Sequence, residues 1–443
     1  MTRADDARAS ALPFASITSS TRGGRDVSDE VSMTDALELD AVIFGGGAAG
    51  LWMLDEFIRA GRRCLLLEAG ELGAGQTIAS QGIIHGGLKY TLSGLFSSSA
   101  RAIADMPRIW RQCLAGEAKP NLSSTRLRAH WCVLWQTTSL RSRLGMMGAR
   151  AGLRVAPRRL AAHERPPLLA ECPGIVARLD EQVIEPWSFI ADLSEQHRDR
   201  IIRIDADNGL EFSPLASPAG SSESRFVRLL NPETGAPLDL RPRHIILAAG
   251  AGNARLREMC GLRAGAMQQR PLHMVMLRGE RLPALCGHCT DGAATRVTIT
   301  STRDFFDRAV WQVGGQIAER GVAMDEQQLI RFAHEELRAV LPGIDLKGVE
   351  WATYRANRAE AGNAGARPSD VSVIRDGNIL TCWPTKLALA PRLAQQVLAM
   401  TGAGAGRAKA GDAKSDVPSL RGWPQPVAAL PPWETTQTWK RLD

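Results

Sequence analysis

The sequence predicts an α/β fold built on a parallel sheet, and three observations lead to that prediction. A short apolar run at 41–44 is typical of a strand buried on both faces. An amphipathic helix pattern follows over 51–60, and a second apolar run at 64–67 ends in Glu68. Because a run of small residues joins the first strand to the helix, the three elements indicate a βαβ unit.

Length, composition and charge narrow the class of protein further. The chain has 443 residues, of which 44% are apolar and 23% charged, and its net charge is +7. Such a chain is long enough for two or three domains, which excludes a disulfide-stapled mini-protein and a mostly disordered chain. Because the basic excess is spread out and no basic run alternates with aromatic residues, we expect no nucleic-acid partner.

Several features bear on the compartment. No apolar run approaches the roughly 18 residues that a membrane-spanning helix needs, so none is predicted. Residues 1–36 are polar and aperiodic; we expect a disordered extension, without the apolar segment of a secretory signal. The eight cysteines are scattered, which favours reduced, buried thiols. The simplest compartment is the cytoplasm, and the mildly basic surface also suits a peripheral contact with the inner face of a membrane.

The turn after the first strand has the spacing of a dinucleotide-binding site, with glycines at Gly45, Gly47 and Gly50. Gly45 permits the tight turn, Gly47 lets a pyrophosphate approach the backbone at Ala48 and Ala49, and Gly50 lets the helix pack close to the sheet. The helix N-terminus offers N–H groups to the phosphates. Glu68 follows at the spacing of a carboxylate that accepts from ribose hydroxyls, which disfavours NADP.

The segment that follows the second strand is unusually rich in small and hydroxyl residues. It reads GAGQTIASQGIIHGGLKY over 73–90. Such a loop brings backbone amides close to a phosphate and to a flat ring. We therefore expect it to bind the cofactor, through these residues: Gly75, Thr77, Ser80, Gln81 and Gly82.

Three stretches resemble a known family. Residues 41–70 resemble the FAD-binding entry of the D-amino-acid-oxidase-like flavoproteins. The stretch SQGIIHGGLKY, 80–90, is similar to a loop of FAD-linked glycerol-3-phosphate dehydrogenases and of L-2-hydroxyglutarate oxidases. The stretch RHIILAAGAGN, 243–253, resembles the late strand that passes under the FAD, with Gly250 at its end. The resemblance implies FAD rather than NAD as the cofactor.

The same resemblance implies a discontinuous Rossmann-type FAD-binding domain with an inserted, mixed or antiparallel β-rich substrate domain. We assign the FAD-binding domain to 37–115, 187–260 and 370–405. The substrate or cap domain takes 116–186 and 261–369, where alternating apolar patterns predict strands. Residues 406–443 are expected to form a flexible tail that contains proline and tryptophan.

Two candidate groups would act beside the flavin. The resemblance places the junction at 383–387 near the pyrimidine end of the ring, where Thr385 would contact the cofactor and Lys386 would supply positive charge. The alternative for Lys386 is a surface lysine. His85 lies in the matched loop and could face the flavin as a general base, or simply bond to the backbone of the glycine-rich loop.

The second predicted domain also contains candidates for a general base and for side chains that bind an anionic substrate. His273 is an alternative base, although a lone histidine in a strand is more often structural. Arg270 and Arg355 are the candidates for binding an anionic substrate, because guanidinium groups pair well with carboxylates and phosphates. The alternative for each arginine is an ordinary ion pair.

Cys286-Gly-His-Cys289 raises a separate possibility. A C-x-x-C pair can act as a thiol–disulfide centre, but that chemistry normally starts at a helix N-terminus, and here strands are predicted on both sides. No second C-x-x-C completes a zinc site, and no metal site is predicted.

The sequence therefore predicts an FAD-dependent oxidoreductase, either a dehydrogenase or an oxidase. It would oxidise a small, anionic CH–OH or CH–NH substrate by hydride transfer to flavin N5, with oxygen, a quinone or another carrier as the electron acceptor. Two alternatives stay open. One is a flavoprotein with a structural, regulatory or RNA-modification-associated role, and the other is a thiol–disulfide oxidoreductase.

Overall fold

The computed structural model describes residues 36–86, 103, 105–137, 157–213, 226–291, 294–362, 368, 370–402 and 420–442. They belong to one structural unit, Ala36–Asp443. The predicted N-terminal extension lies outside the described residues apart from Ala36, and so does the end of the loop motif, 87–90.

The strands are, in chain order, β1 Leu37–Phe44, β2 Cys64–Glu68, β3 Leu127–Ala129, β4 Cys132–Gln136, β5 Arg158–Arg159, β6 Val176–Leu179, β7 Val183–Ile184, β8 Ile201–Arg203, β9 Leu210–Phe212, β10 Val227–Leu230, β11 Pro237–Leu247, β12 Met267–Arg278, β13 Gly287–Asp291, β14 Ala294–Arg303, β15 Ala309–Gly314, β16 Glu350–Ala361, β17 Ser372–Asp376, β18 Ile379–Trp383 and β19 Lys440–Arg441. The α-helices are α1 Ala48–Arg59, α2 Met106–Leu114, α3 Pro186–Gln196, α4 Asn253–Met259, α5 Gln316–Arg320, α6 Glu326–Val340, α7 Ala390–Met400 and α8 Pro432–Thr435.

The first sheet is largely parallel. Its strand order is β17–β18–β11–β1–β2–β8, and β9 and β10 extend it beside β11. β1 pairs in parallel with β2 on one side and with β11 on the other. Because β1 is central, both of its faces are buried, and neither Val42 nor Ile43 has any exposed surface. This confirms the predicted α/β fold.

The second sheet is mostly antiparallel, with the order β19–β16–β12–β15–β14–β13–β4–β6–β5. The pair β4 and β13 is parallel, which makes the sheet mixed. Helix α6 covers one face and buries Leu329 and Leu337 there. Its first turn is fixed by Asp325, whose side chain accepts from the backbone N–H of Gln328 at 2.8 Å.

The two sheets draw their strands alternately from the chain. Every strand of the first sheet falls within 37–115, 187–260 or 370–405. The strands of the second sheet fall within 116–186 and 261–369, except β19.

Helix α1 begins earlier than the periodicity predicts, at Ala48 instead of residue 51. Apolar periodicity could not show this, because the first turn consists of alanine and glycine. Gly47 is the N-cap and has extended backbone dihedral angles. The helix buries Leu51, Leu54 and Phe57 in a core that it shares with α7.

The C-terminal segment 420–442 does not form the flexible tail that we expected. Val427 and Ala429 exchange backbone hydrogen bonds with Leu72, at 2.8 and 2.9 Å. Trp433 is 3% exposed and covers the guanidinium of Arg128, and β19 extends the edge of the second sheet beside β16. The tryptophan supplies apolar surface whose burial holds the segment in place. Among the helices of the described residues, none combines the length and apolar character needed to cross a bilayer.

Candidate active site

A cavity of about 640 Å³ opens between the carboxyl ends of the first sheet's strands and the second sheet. Most of the sequence-predicted site residues line it: Gly45, Gly47, Ala48, Ala49, Glu68, Gly75, Thr77, Ser80, Gln81, Gly82, His85, Gly250, Arg355, Thr385 and Lys386. Three do not: Gly50, Arg270 and His273. The ends of parallel strands are the usual binding edge of such sheets.

The glycine turn is built as its spacing indicates. Gly45 has φ +106°, and a Cβ on it would lie 2.6 Å from Cα of Ala249. A Cβ on Gly50 would lie 1.9 Å from the carbonyl oxygen of Gly45. Gly50 therefore serves helix packing instead of lining the cavity, and its replacement would push α1 away from the turn.

The start of α1 faces the cavity. A Cβ on Gly47 would meet only Oγ1 of Thr77, at 3.3 Å, so this position keeps space free without crowding the backbone. The Thr77 hydroxyl accepts from the backbone N–H of Ala48 at 3.1 Å. Glu68, at the end of β2, accepts from the backbone N–H groups of Gly46 and Gly70 at 2.6 and 2.8 Å. These bonds fix the carboxylate beside the turn.

Hydrogen bonds to the second sheet hold the loop after β2 in place. The Gln81 side-chain amide donates to the carbonyl oxygens of Thr298 and Gln312, at 3.2 and 3.0 Å. A Cβ on Gly82 would lie 2.1 Å from the carbonyl oxygen of Ile184, so glycine is required there. The loop is therefore clamped against the second sheet where it lines the cavity.

The opposite end of the cavity contains the turn before α7. Thr385 has φ +63°, and the backbone N–H of Lys386 donates to the carbonyl oxygen of Pro384 at 2.7 Å. This is a tight three-residue turn with a strained centre. The Thr385 hydroxyl donates to the carbonyl oxygen of Asp370 at 2.7 Å, and the Asp370 carboxylate pairs with Arg392 of α7. These contacts fix the position of Lys386 at the cavity.

His85 meets two residues that the sequence analysis did not select. Nδ1 of His85 lies 3.5 Å from Oε2 of Glu181, and Nε2 of His288 lies 3.6 Å from the same oxygen. The other oxygen of Glu181 accepts from the backbone N–H of Gly86 at 2.7 Å. Nδ1 of His288 is 3.0 Å from Oγ1 of Thr298. All three side chains line the cavity, and we call them the His85 cluster.

The electrostatics of the His85 cluster favour an ionised carboxylate between two imidazoles. Burial alone raises the pKa of Glu181, but the hydrogen bonds from His288 and His85 outweigh it and hold that pKa well below its usual range. The His85 ring is 38% exposed, yet it lies deep in the protein, and this desolvation lowers its pKa despite the opposing effect of Glu181. At neutral pH, His85 is therefore neutral beside an anionic Glu181.

The donor atoms of the His85 cluster lie within 4.8 Å of one another, and two imidazoles with a carboxylate could also hold a divalent cation. A cation would have to share the space with the positive charge of Lys386, which already acts on His85. The charge of Lys386 therefore opposes a second cation at the cluster.

The arginines that line the cavity are not the two that the sequence predicted for anion binding. Arg270 donates to both carboxylate oxygens of Glu360, at 2.7 and 2.8 Å, and does not reach the cavity. Arg355 does line it, and its guanidinium donates to the carbonyl oxygens of Val322 and Met324. Arg358 lines the cavity too, beside Glu319 at 3.3 Å. Residues alternate along β16, so the two cavity arginines project from opposite faces of the strand.

His273 has a structural environment. It is 4% exposed; Nδ1 lies 3.1 Å from the carbonyl oxygen of Gly321, and Nε2 lies 3.0 Å from Oγ1 of Thr353. With both ring nitrogens engaged and no contact with the cavity, His273 is not placed to act as a base there.

The C-x-x-C pair is not built for thiol exchange. Cys286 packs with Cys132 and Leu134, whereas Cys289 packs with Trp135 and Val297 in a different core cluster. Positions three apart on a strand point to opposite faces, which explains the separation. Burial raises the pKa of Cys286, and it raises that of Cys289 to about 12, so both thiols stay protonated.

Comparisons with known proteins agree with this geometry. A sequence model of the family described as FAD dependent oxidoreductase matches residues 40–378. A probable FAD-dependent oxidoreductase of Pseudomonas aeruginosa is 38% identical over 409 residues, covering 91% of this chain and 99% of that protein. The chain belongs to the FAD dependent oxidoreductase family. The predicted D-amino-acid-oxidase-like resemblance, the oxidoreductase activity and the FAD cofactor are confirmed.

Solved structures resemble the oxidoreductase over most of its length. The crystal structure of the FAD dependent oxidoreductase from Pseudomonas aeruginosa has a TM-score of 0.72 at 34% identity, over 91% of this chain and 99% of that one. Glycine oxidase from Geobacillus kaustophilus has a TM-score of 0.60 at 16% identity, over 83% and 95%. L-α-glycerophosphate oxidase from Mycoplasma pneumoniae, with FAD bound, has a TM-score of 0.58 at 12% identity, over 82% and 94%. The last two show the shared fold alone.

The cavity of the oxidoreductase fits FAD. The space kept free at Gly47 and the helix start suit a diphosphate, and Glu68 suits a ribose. The clamped loop and Lys386 line the same cavity, so its lining extends well beyond the glycine turn.

Sequence reasoning missed Glu181, His288 and Arg358. His288 lies inside the Cys286–Cys289 motif, but that motif indicates thiol chemistry and not a role for its histidine. Glu181 carried none, because nothing near it in the sequence indicates that it meets His85.

Proposed function

We propose that the oxidoreductase oxidises a small anionic substrate at a CH–OH or CH–NH carbon. One observation carries the proposal: a single cavity contains the dinucleotide turn, the His85 cluster and two arginines. A proton acceptor and cationic groups at one cofactor cavity are what oxidation of an anionic metabolite requires.

The chain's own residues have distinct roles in this proposal. Bound FAD supplies a hydride acceptor at flavin N5. Lys386, which lines the cavity, would provide positive charge beside the bound cofactor. His85 accepts a proton from the substrate where one is released.

Arg355 and Arg358 hold the substrate's anionic group. Arg355 is exposed and Arg358 is partly buried beside Glu319, so the two offer separate donors on one cavity. Arg358 replaces Arg270, which we expected in this role, because Arg270 forms two hydrogen bonds with Glu360 and does not line the cavity. Either cavity arginine changed to glutamine should weaken binding of an anionic substrate.

Anaerobic reduction of the bound FAD tests the proposal. The purified protein is mixed with a panel of 2-hydroxy acids, polyol phosphates and amino acids, and the visible flavin band is followed. Loss of the band with a member of the panel supports the proposal. A band that no member bleaches favours a flavoprotein with a structural or regulatory role.

We infer that the protein works in the cytoplasm. All eight cysteines of the chain are free and buried, which suits a reducing compartment. Fractionation of cells that produce the native protein tests this, and would also detect a peripheral membrane association.

A further inference from the structure

We propose that Glu181 and His288 complete a proton-accepting unit with His85, and that this unit commits the enzyme to small anionic CH–OH substrates over CH–NH substrates. The inference rests on the proposed function and names the substrate class of the same site.

The two substrate classes differ in what they release. Oxidation of CH–OH to C=O removes a hydride from carbon and a proton from oxygen. A neutral amine gives up a hydride alone and leaves as an iminium ion. Since FAD is the established oxidant and takes the hydride with its electron pair, the hydroxyl proton is the product that the chain must accept. An imidazole that accepts this proton has to be neutral beforehand and stabilised as a cation afterwards.

His85 meets both conditions. It lines the cavity, and its Nδ1 faces the carboxylate of Glu181 at 3.5 Å, which leaves the other ring nitrogen for a substrate. A carboxylate behind an imidazole orients the ring and stabilises the imidazolium that forms when the proton arrives. Glu181 is thus a positioning residue, and His85 is the group that meets the substrate.

The chain fixes Glu181 in that position. Two backbone contacts hold the chain around Glu181 beside the chain around His85. The backbone N–H of Ile84 donates to the carbonyl oxygen of Gln182 at 2.8 Å, and Ile83 forms a β-bridge with Val183. The hydrogen bond from Gly86 to Oε1 then leaves Oε2 directed at the histidines.

His288 lies beside the same carboxylate. Oε2 of Glu181 is 3.5 Å from Nδ1 of His85 and 3.6 Å from Nε2 of His288. Thr298 orients the His288 ring. Two other groups act on the cluster: Lys386 on His85, and Cys132, whose pKa burial raises so that it stays protonated. Glu181 therefore contacts both imidazoles, and its charge stabilises a proton held on His85.

Two variants test the unit through opposite effects on His85. Glu181→Gln removes the charge that raises the pKa of His85, so the pKa should fall further. His288→Gln removes a group that lowers it, so the pKa should rise. Histidine-selective NMR titration of the FAD-loaded enzyme measures both shifts without turnover. Glu171→Gln and His163→Gln, the same changes at exposed positions, should leave His85 unchanged.

Kinetics then connect the unit to the substrate class. Flavin reduction by the hydroxy compound that the panel identifies should fall by at least about tenfold in Glu181→Gln. The acid limb of its pH profile should move to lower pH in Glu181→Gln and to higher pH in His288→Gln. A purely structural role would not move the two limbs in opposite directions.

Specific results would overturn the inference. One is a His85 titration that neither variant shifts, and another is a stoichiometric metal ion bound to the cluster in the purified enzyme. If amines reduce the FAD and no hydroxy compound does, the proposed function stands and the substrate class assigned here is wrong. If neither class reduces it, both proposals fail.

Discussion

The hydroxyl of Tyr354 donates a hydrogen bond to the carbonyl oxygen of Ala79 over 2.9 Å, so β16 supports the cofactor loop directly. The side-chain amide of Gln312 donates to the same hydroxyl at 2.9 Å, and Arg128 donates to that amide's oxygen at 2.8 Å. Arg128 is in turn paired with Glu185 in the protein interior. The loop that lines one side of the cavity thus rests on a buried polar network of the second sheet.

Tyr354→Phe should weaken both folding and cofactor binding. It leaves the carbonyl oxygen of Ala79 and the amide of Gln312 without this partner, which should cost about 1–2 kcal/mol of unfolding free energy. Denaturant unfolding and FAD titration by fluorescence quenching measure the two effects. FAD affinity equal to that of the wild type would show that the loop does not depend on this bond.

Gly47→Val should reduce FAD binding, whereas Gly50→Ala should reduce the stability of the fold. A side chain at Gly47 meets no backbone, so the valine variant should fold but lose FAD. A Cβ at Gly50 would overlap the carbonyl oxygen of Gly45, so that variant should unfold more easily. Gly265→Ala is the control, because nothing lies within 4 Å of its added Cβ. Thermal unfolding and flavin content separate the cases; stoichiometric FAD in the valine variant would contradict the phosphate site.

The cysteines should be unreactive in the folded protein. All eight are free and buried, and burial raises the pKa of Cys64 and Cys289 to about 12. A thiol-specific chromogenic reagent should therefore label the native protein slowly and all eight sites after denaturation. Rapid native labelling of Cys286 with loss of activity would revive a thiol–disulfide function.

Ionisation of Glu181 should make the free energy of unfolding depend on pH in the acid range. Its folded pKa lies below the usual value, so the ionised carboxylate stabilises the folded state above the unfolded pKa, and that contribution is lost as the pH falls through the folded pKa. The difference in unfolding free energy between wild type and Glu181→Gln should therefore narrow as the pH falls below about 4.3, the usual pKa of an unfolded glutamate. Urea unfolding at several pH values measures it, with Glu171→Gln as the control. A difference that widens below that pH would contradict the assigned charge.

The βαβ unit could be predicted because its signals are local. Gly45, Gly47 and Glu68 lie within one strand–helix–strand stretch, and all three line the cavity. The His85 cluster could not be predicted in the same way. Glu181 and His288 reach His85 through the bridge at Ile83 and the parallel pairing of β4 with β13, which no local periodicity encodes.

The arginines show a second limit of sequence reasoning. Arg355 was chosen from the sequence and Arg358 was not, because only the structure shows that both line the cavity. The sequence does not show that Arg270 of β12 forms an ion pair with Glu360 of the neighbouring strand β16. Ion pairing across a sheet depends on register, which the sequence leaves undetermined.

The most direct test combines flavin content with substrate reduction in one absorbance measurement. The purified chain should carry one FAD per molecule, and its visible band should bleach anaerobically with a small hydroxy acid or polyol phosphate. A colourless protein that does not bind added FAD, or a bound flavin that neither these compounds nor amino acids can reduce, would contradict the assigned cavity and its chemistry.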